Sequence, residues 1–150
     1  MQILEIVDNH KFKAGFIPYH IDKQGVTRFL FCLSSNPKFG GSRFAICKGS
    51  IERGENALEG ALREAEEELG LRQKNILPGT LKLIWQGKIR GKKKTLTLPI
   101  FTAQMRKSKD FGPSDHEISK TKWMTLDEFV EVGKRSHIPI VKKIAKRLDK

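Results

Sequence analysis

Two short apolar runs near the start of the chain predict a pair of neighbouring core strands. The runs cover residues 12–21 and 28–34, and a polar turn at 22–25 separates them. Runs of this length that are bounded by turn residues are typical of a β-hairpin. The glycine- and proline-rich segment 36–42 then predicts a loop, and residues 43–47 predict a brief strand that ends just before the next motif.

Residues 56–69 have the spacing of an amphipathic helix, and Gly70 is placed to end it. At about 100° per residue, five apolar side chains fill one arc of this helix and three acidic side chains fill the adjoining arc. The apolar side chains are those of Leu58, Ala61, Leu62, Ala65 and Leu69, and the acidic ones are those of Glu64, Glu67 and Glu68. Glu59 and Glu66 point the other way, so we expect them to face solvent.

The C-terminal half alternates between strand and helix patterns. Residues 81–89 and 95–103 predict two strands joined by a basic tip, and Pro99 places the second strand near a sheet edge or a bulge. Residues 118–124 predict a further strand. The segment 125–128 has the pattern of a capping box, which opens a short helix.

The last segment has apolar and basic residues at helical spacing and therefore predicts an amphipathic helix. The apolar side consists of Ile140, Val141, Ile144, Ala145 and Leu148, and the basic side of Lys142, Lys143, Lys146 and Arg147. A chain of 150 residues that mixes such helices and strands, without a repeat or a linker, is expected to form one α/β domain over residues 1–150.

Cysteine usage and the start of the chain favour an intracellular setting. Cys32 and Cys47 are the only thiols, and each lies in an apolar stretch without metal-binding spacing, so we expect buried free cysteines. No basic-then-apolar leader opens the sequence, and no apolar run approaches the length of a membrane span. We therefore expect a soluble cytoplasmic protein with no membrane partner.

The charge balance indicates a polyanionic partner. The chain carries 29 Lys and Arg against 17 Asp and Glu, which gives a formal net charge of +12. A phosphate-rich small molecule and a nucleic acid both satisfy this balance, and charge alone does not choose between them. The alternative is that most of the lysines serve only to keep the protein soluble.

The crowding of carboxylates on one helix stands out against this basic background. Glu64 lies three residues before Glu67 and four before Glu68. Like charges at these spacings destabilise a helix by roughly a few tenths of a kcal/mol per pair. A bound cation would offset the repulsion. Convergent carboxylates are the hard oxygen ligands that Mg²⁺ prefers, with water and substrate phosphate completing its octahedron.

The same region resembles the signature of the Nudix hydrolases. That signature is Gly, five residues, Glu, seven residues, Arg-Glu, an apolar residue, one residue, Glu-Glu, one residue, Gly and an apolar residue. The chain fills the fixed positions with Gly49, Glu55, Arg63, Glu64, Glu67, Glu68 and Gly70, and the apolar positions with Ala65 and Leu71. Ala65 is smaller than the usual aliphatic residue, which concerns packing rather than chemistry.

This resemblance implies the Nudix fold, an α/β/α sandwich around a mixed β-sheet, and an enzyme that hydrolyses a phosphoanhydride bond of a nucleoside diphosphate-linked substrate. It implies Mg²⁺, with Mn²⁺ as a substitute, held by Glu64, Glu67 and Glu68, and Glu64 acts either as a ligand or as the base. It further implies a supporting ion pair between Glu55 and Arg63, while Gly49 and Gly70 shape the backbone.

A later loop supplies an additional carboxylate in many members of this family. Glu117, just before the strand that ends at Trp123, is our first choice for this catalytic role, and Asp115 is the second. An acidic loop residue with no role is the competing interpretation. His116 and His137 are interpreted as surface or packed residues rather than as bases.

Four basic residues are candidates for contacts with substrate phosphates. Lys48 immediately precedes the motif, Arg43 begins the preceding strand, and Lys92 and Lys94 lie in the tip between the two later strands. A lysine-rich tip is also a routine solubility device. The basic side of the last helix is interpreted as its solvent face, with contact to RNA or a membrane surface as the less favoured alternative.

Short segments around the motif are similar to the diadenosine polyphosphate hydrolase branch of the family. They are residues 14–17, residues 46–49, and Glu117 with Trp123; the branch usually has proline where this chain has Cys47. We therefore expect a dinucleoside polyphosphate as substrate. RNA 5′ ends, ADP-ribose and other nucleotide sugars are the alternatives, and a nucleotide- or RNA-binding module without activity is the alternative outside enzymes.

Overall fold

The computed structural model describes residues 12–34, 43–90, 95–112 and 118–149. In these ranges the chain forms six strands and three α-helices. The strands are β1 (Lys13–Ile21), β2 (Thr27–Ser34), β3 (Cys47–Ser50), β4 (Lys82–Arg90), β5 (Thr95–Gln104) and β6 (Ile118–Met124), and the helices are α1 (Ala57–Leu69), α2 (Leu126–Val132) and α3 (Ile138–Leu148).

The strands form one mixed sheet in the order β4-β5-β1-β2-β6, with β3 added to the first half of β1. β1 and β5 run parallel, with Gly15 opposite Ile100, and the other pairs are antiparallel. β1 is therefore the central strand, and it brings together segments that lie far apart in the sequence.

Alternation along the central strands gives the sheet two apolar faces. Phe16, Leu30 and Phe101 pack with α1 in one core cluster, whereas Ile17 and Phe31 pack with α2 and α3 in the other. The helices thus cover both faces, which confirms the expected α/β class and the α/β/α layering.

Most of the predicted elements are confirmed within a few residues. The hairpin is formed by β1 and β2, the acidic helix is α1, and α3 buries Ile140, Val141 and Ile144 while Lys142 and Lys143 are exposed. The capping box at the start of α2 is also present, since Thr125 Oγ1 accepts from Glu128 N–H at 3.2 Å. A 3₁₀ turn over Gln73–Asn75 was not predicted.

The strand predicted at residues 43–47 lies further along the chain. Residues 44 and 45 make only isolated bridges, and β3 begins at Cys47 and runs to Ser50. The shift follows from pairing, because β1 offers its free edge to Cys47, Lys48 and Gly49 rather than to the earlier residues. The first glycine of the motif therefore lies inside a strand and not after its end.

Pro99 lies where a missing N–H is tolerated. It pairs with Gln86 of β4, next to a bulge between Leu83 and Trp85, and the pairing of β5 with β1 begins only at Ile100. The prediction of an edge or bulge position is confirmed, because both features meet there.

Cys32 and Cys47 are buried and not joined by a disulfide, as predicted. In the ranges that the structure describes, every helix is too short or too polar to cross a membrane.

Candidate active site

Helix α1 is fixed at both ends by its own sequence. Asn56 accepts a hydrogen bond from Glu59 N–H at 2.8 Å, and the Glu59 carboxylate accepts one from Asn56 N–H at 2.9 Å. At the other end Gly70 adopts the left-handed conformation, with φ of 77°, and its N–H donates to the backbone carbonyl of Glu66. These caps set where the helix begins and ends, and therefore where its acidic side chains lie against the sheet.

Gly49 allows the closest approach between the helix and the sheet. A methyl group at this position would overlap the Glu64 carboxyl group, and the Glu64 side chain is only 12% exposed. Burial raises the pKa of Glu64, although hydrogen bonds from Glu68 and Arg63 oppose the rise. The absence of a side chain at Gly49 thus makes the pocket in which the Glu64 carboxylate sits.

The Arg63 guanidinium joins the loop before α1 to the acidic face of the helix. Its Nε donates to Glu55 at 2.9 Å, and its Nη2 donates to the Ser50 carbonyl at 2.9 Å. Its Nη1 donates to Glu64 at 3.0 Å and reaches Glu67 at 3.5 Å. One cation therefore ties together the end of β3, the loop and two of the three acidic residues.

The predicted ion pair between Glu55 and Arg63 is present, and the electrostatics on both sides agree. The hydrogen bond to Glu55 raises the pKa of Arg63. Partial burial alone would raise the pKa of Glu55, but the pKa is lowered because Arg63 and Glu52 N–H donate to its carboxylate. Both groups are therefore fully charged at neutral pH.

Glu52 is a further partner that sequence reasoning missed. Its carboxylate lies 3.1 Å from Arg63 Nε, and the side chain is 60% exposed. It occupies one of the free positions of the motif, so the pattern gave no signal beyond its proximity to Glu55.

The three acidic residues are of the chemical type that a hard divalent cation takes as ligands. Glu64 and Glu68 lie one turn apart on α1, and Glu68 affects the pKa of Glu64. Neighbouring carboxylates are most easily both charged beside a counter-ion. Among the described residues, no three acidic, thiol or imidazole groups converge as a complete set of metal ligands. Arg63 instead holds Glu64 and Glu67 by its own hydrogen bonds.

Lys48 lies beside this site but projects from the opposite face of the sheet. It is paired with Gly15, whereas Gly49 is paired with Ala14 on the face toward α1. Burial lowers the pKa of Lys48, and Lys13 and Lys134 lower it further. Within the described part of the chain, no hydrogen bond or ion pair of the Lys48 ammonium is present, so three cationic side chains face one another at the end of β3.

Arg43 is not brought to the acidic residues. Its guanidinium donates to the Gly133 carbonyl at 2.8 Å and lies 3.5 Å from the Glu131 carbonyl. It closes the C-terminal end of α2, and this structural contact accounts for its position. The proposed substrate contact of Arg43 therefore has no support in the geometry.

His137 is a packed residue, as predicted. Its Nδ1 accepts a hydrogen bond from Ile46 N–H at 3.1 Å, and the side chain is only 5% exposed. Burial, with Lys48 and Lys134 nearby, lowers the pKa of His137 to about 3. The imidazole is neutral at physiological pH and joins the start of α3 to the segment before β3.

Five candidate residues lie outside the described ranges. They are Lys92 and Lys94 of the tip between β4 and β5, and Asp115, His116 and Glu117 of the loop before β6. Their assignments as phosphate contacts, additional carboxylates or surface residues stay predictions.

Comparison with known proteins identifies a family and a fold. A family model described as the NUDIX domain matches residues 13–146. No curated protein matches the chain.

Solved structures share the fold at low sequence identity. The binary complex of a C. elegans Ap4A hydrolase superposes with a TM-score of 0.73 and 21% identity, covering 91% of this chain and 96% of that one. The NUDIX domain of Shewanella oneidensis NrtR complexed with ADP ribose gives 0.74 and 16%, with coverage of 91% and 87%. The M. smegmatis Nudix hydrolase RenU gives 0.73 and 15%, with coverage of 91% and 86%.

Proposed function

We propose, from the premise that this chain belongs to the Nudix family of hydrolases, that it cleaves a phosphoanhydride bond of a dinucleoside polyphosphate in a metal-dependent reaction. The observation that carries the proposal is the Arg63 network, which holds Glu64 and Glu67 beside the Gly49 pocket. An ion-pair network of this kind presents charged carboxylates at defined positions.

The carboxylates are assigned to the divalent ion. Glu64, Glu67 and Glu68 would hold Mg²⁺ or Mn²⁺, which when bound neutralises charge on the phosphate oxygens and activates water. Glu64 is also the candidate base, because its side chain is only 12% exposed and its pKa is raised by burial. Arg63 and Glu55 keep the carboxylates in place and do not touch the substrate.

The lysines at the end of β3 are assigned to substrate phosphates. The Lys48 ammonium is partly desolvated and is flanked by Lys13 and Lys134. The Glu68 carboxylate offsets part of the positive charge at Lys48 but not the charge of all three lysines. An anion would therefore stabilise the cluster, and a polyphosphate chain supplies several negative charges. The carboxylates lie on one face of β3 and the lysines lie on the other. A substrate that crosses the edge of this strand therefore contacts both.

A dinucleoside polyphosphate is favoured by two segments of the sequence. Residues 14–17 and 46–49 resemble the diadenosine polyphosphate branch, and the structure pairs them directly, with Ala14 opposite Gly49 and Phe16 opposite Cys47. The fold likeness to the C. elegans Ap4A hydrolase is in line with this choice. ADP-ribose is the second candidate, because a structural neighbour is complexed with that ligand.

Product analysis with Mg²⁺ and with EDTA tests the proposal. The panel is diadenosine tetraphosphate, ADP-ribose, a nucleoside triphosphate, and 5′-triphosphorylated and capped RNA. Asymmetric, Mg²⁺-dependent cleavage of diadenosine tetraphosphate is expected. Cleavage of another member of the panel would make that compound the substrate in place of diadenosine tetraphosphate. Binding of the panel compounds without cleavage of any of them would indicate a binding module.

We also propose that residues 1–150 form one domain and that the protein resides in the cytoplasm. One sheet carries both core clusters, which supports a single domain. The two unpaired buried cysteines fit a reducing compartment.

A further inference from the structure

Two buried thiols lie beneath the Glu68 carboxylate, on the face of the sheet that α1 covers. Cys32 of β2 places its Sγ 3.8 Å from Oε1 of Glu68. Cys47, the first residue of β3, has no exposed surface and lies near enough to the same carboxylate to interact with it electrostatically. Both belong to the core cluster under α1. Neither is a fixed position of the glutamate motif.

Four residues along α1 and two residues along β3 span nearly the same distance. Glu64 and Glu68 are one turn apart on α1, which corresponds to an advance of about 6 Å. Gly49 and Cys47 are two residues apart on the same face of β3, about 6.6 Å. Because Glu64 lies against Gly49, Glu68, which is one turn further along the helix, lies against Cys47. The residue type at position 47 therefore decides what the Glu68 carboxylate rests on.

Both side chains are in the thiol form at neutral pH. A cysteine side chain is ordinarily a neutral thiol at this pH, and a carboxylate as near as that of Glu68 disfavours a second negative charge. A thiol is a weak hydrogen-bond donor, and a carboxylate is a stronger acceptor than a neutral carbonyl.

One competing acceptor is present for Cys32. The Ala45 carbonyl lies 3.7 Å from its Sγ, but that carbonyl already accepts from Cys32 N–H at 3.1 Å. The charged carboxylate of Glu68 is therefore the acceptor that gains more from the thiol proton.

We propose that Cys32 and Cys47 are positioning residues for Glu68. They hold one side of its carboxylate from within the core, so that the other side faces Glu64 and the cation, and they thereby set the affinity of the site for a divalent ion. The inference rests on the proposed function, because it takes Glu68 as a metal ligand. Neither cysteine touches the substrate or the metal.

The test uses Ala and Ser at each cysteine, because these two side chains have similar volume and differ by the donor group. The readout is the Mn²⁺ dissociation constant, measured by electron paramagnetic resonance of the free ion without substrate. Cys47→Ala and Cys32→Ala should weaken Mn²⁺ binding about three- to tenfold. This is at or below the low end of the loss that usually follows removal of a hydrogen-bond partner of a metal-ligating side chain. Cys47→Ser and Cys32→Ser should stay within about twofold of the natural protein, because the hydroxyl donates in place of the thiol.

A matched control separates positioning from packing. Ile76→Val removes a methyl group from the same core cluster, at a residue that pairs with Met105. It should lower the melting temperature without changing the Mn²⁺ affinity. Melting curves of all variants are recorded, and the separate substitutions at Cys32 and Cys47 keep the test available where one variant does not fold.

Three results would overturn the inference. They are Ala variants that bind Mn²⁺ as tightly as the natural protein, Ser variants that lose as much affinity as the Ala variants, and a natural protein that binds no Mn²⁺. Because binding is measured without substrate, the expected pattern in a protein that cleaves none of the panel would support the inference and reject the proposed function.

Discussion

At the scale of single residues, three side chains in contact decide what the site can do. Glu64 is enclosed against Gly49, Glu68 accepts from the Cys32 thiol, and Arg63 donates to the carboxylate of Glu64. Each of these contacts depends on one residue type, so single substitutions separate their contributions.

Glu68→Gln tests the assignment of a metal ligand. The substitution keeps the size of the side chain and removes its charge, so kcat/KM should fall by about 10²- to 10³-fold, as for the loss of one preorganised electrostatic group. The melting temperature should stay equal or rise slightly, because repulsion from Glu64 is relieved. Steady-state kinetics and thermal unfolding measure the two effects.

The matched control is Glu66→Gln on the same helix. Glu66 is exposed and pairs only loosely with Arg72, at 3.8 Å. Its substitution should leave kcat/KM within about twofold, since exposed pairs of this kind contribute little. Equal activity of the Glu68→Gln variant and the natural protein would remove Glu68 from the metal site.

Gly49→Ala tests the pocket of Glu64. The added methyl group overlaps the Glu64 carboxyl group, which must then leave the strand and its hydrogen bond with Arg63. We expect kcat/KM to fall at least about tenfold, because a shift of about 1 Å at a catalytic group costs that much or more. Kinetics with varied Mg²⁺ concentration measure the change.

Gly60→Ala is the control for this substitution. A methyl group at Gly60 would make ordinary contacts of 3.4 Å with Glu55 Oε1 and Ile51 and would displace neither, and Ala in a helix is favoured over Gly by about 1 kcal/mol. This variant should be as active as the natural protein and as stable or more so. A Gly49→Ala variant with full activity would contradict the role of the pocket.

At the scale of elements, the caps and the attachment of each helix determine where its residues lie. α1 begins with a reciprocal pair of hydrogen bonds between Asn56 and Glu59. α3 is attached through His137, which accepts from Ile46 N–H just before β3. Both attachments involve polar groups at the ends of helices rather than their apolar faces.

Asn56→Ala should destabilise the protein by about 1 kcal/mol, the usual cost of losing an N-cap acceptor. Asn56→Asp keeps the acceptor and should retain the stability. Urea unfolding measures the difference. A loss of the same size in both variants would mean that the cap oxygen does not contribute.

His137 makes stability depend on pH in a defined direction. Its pKa is about 3 in the folded protein against an ordinary value of 6.5, so between these values the unfolded chain takes up a proton that the folded protein does not. The contribution is complete above pH 6.5 and is lost as the pH falls, by up to about 1.4 kcal/mol per unit. Denaturant unfolding from pH 7.5 to 4.5 measures this loss.

His137→Asn provides the comparison. Asn offers an acceptor near the position of Nδ1 and does not titrate, so the decline of stability with acid should be shallower by the contribution of one group. Parallel declines in the two proteins would show that other groups cause the pH dependence.

The sequence predicted the elements well where periodicity and caps were strong. α1, α2 and the β1–β2 hairpin were found because apolar spacing, a capping box or a turn marks them. β3 was placed too early, because its position depends on pairing with β1 rather than on local preference. The motif identified Glu55 and Arg63. The face of the sheet on which Lys48 lies depends on strand pairing, and the guanidinium of Arg43 bonds the end of α2, which is a tertiary contact that the sequence does not reveal.

At the scale of the whole molecule, the net charge of +12 acts on any phosphate-rich substrate. Exposed lysines such as Lys143 and Lys146 act over the screening distance, whereas Lys48 is partly shielded from solvent. The two groups should therefore respond differently to salt, since the screening length falls from about 14 Å at 50 mM to about 4 Å at 500 mM.

We expect kcat/KM to fall severalfold as salt rises over this range. Lys143→Glu with Lys146→Glu should lower kcat/KM by about two- to threefold at low salt and by nothing measurable at high salt, since these residues act by long-range attraction. Lys48→Met should lower it at both salt concentrations. Equal salt dependence of the Lys48→Met and the double variant would contradict a direct phosphate contact.

The parallel pairing of β1 with β5 has a consequence for how the site comes into being. β1 is synthesised before β5, and its partner residues, such as Ile100 opposite Gly15, are added 85 positions later. Pairing across such a separation is slow and leaves a strand edge open in the meantime. On the ribosome, the chain therefore carries its complete acidic motif before β5 is available to pair with the central strand, so the motif is synthesised before the sheet that positions it can form.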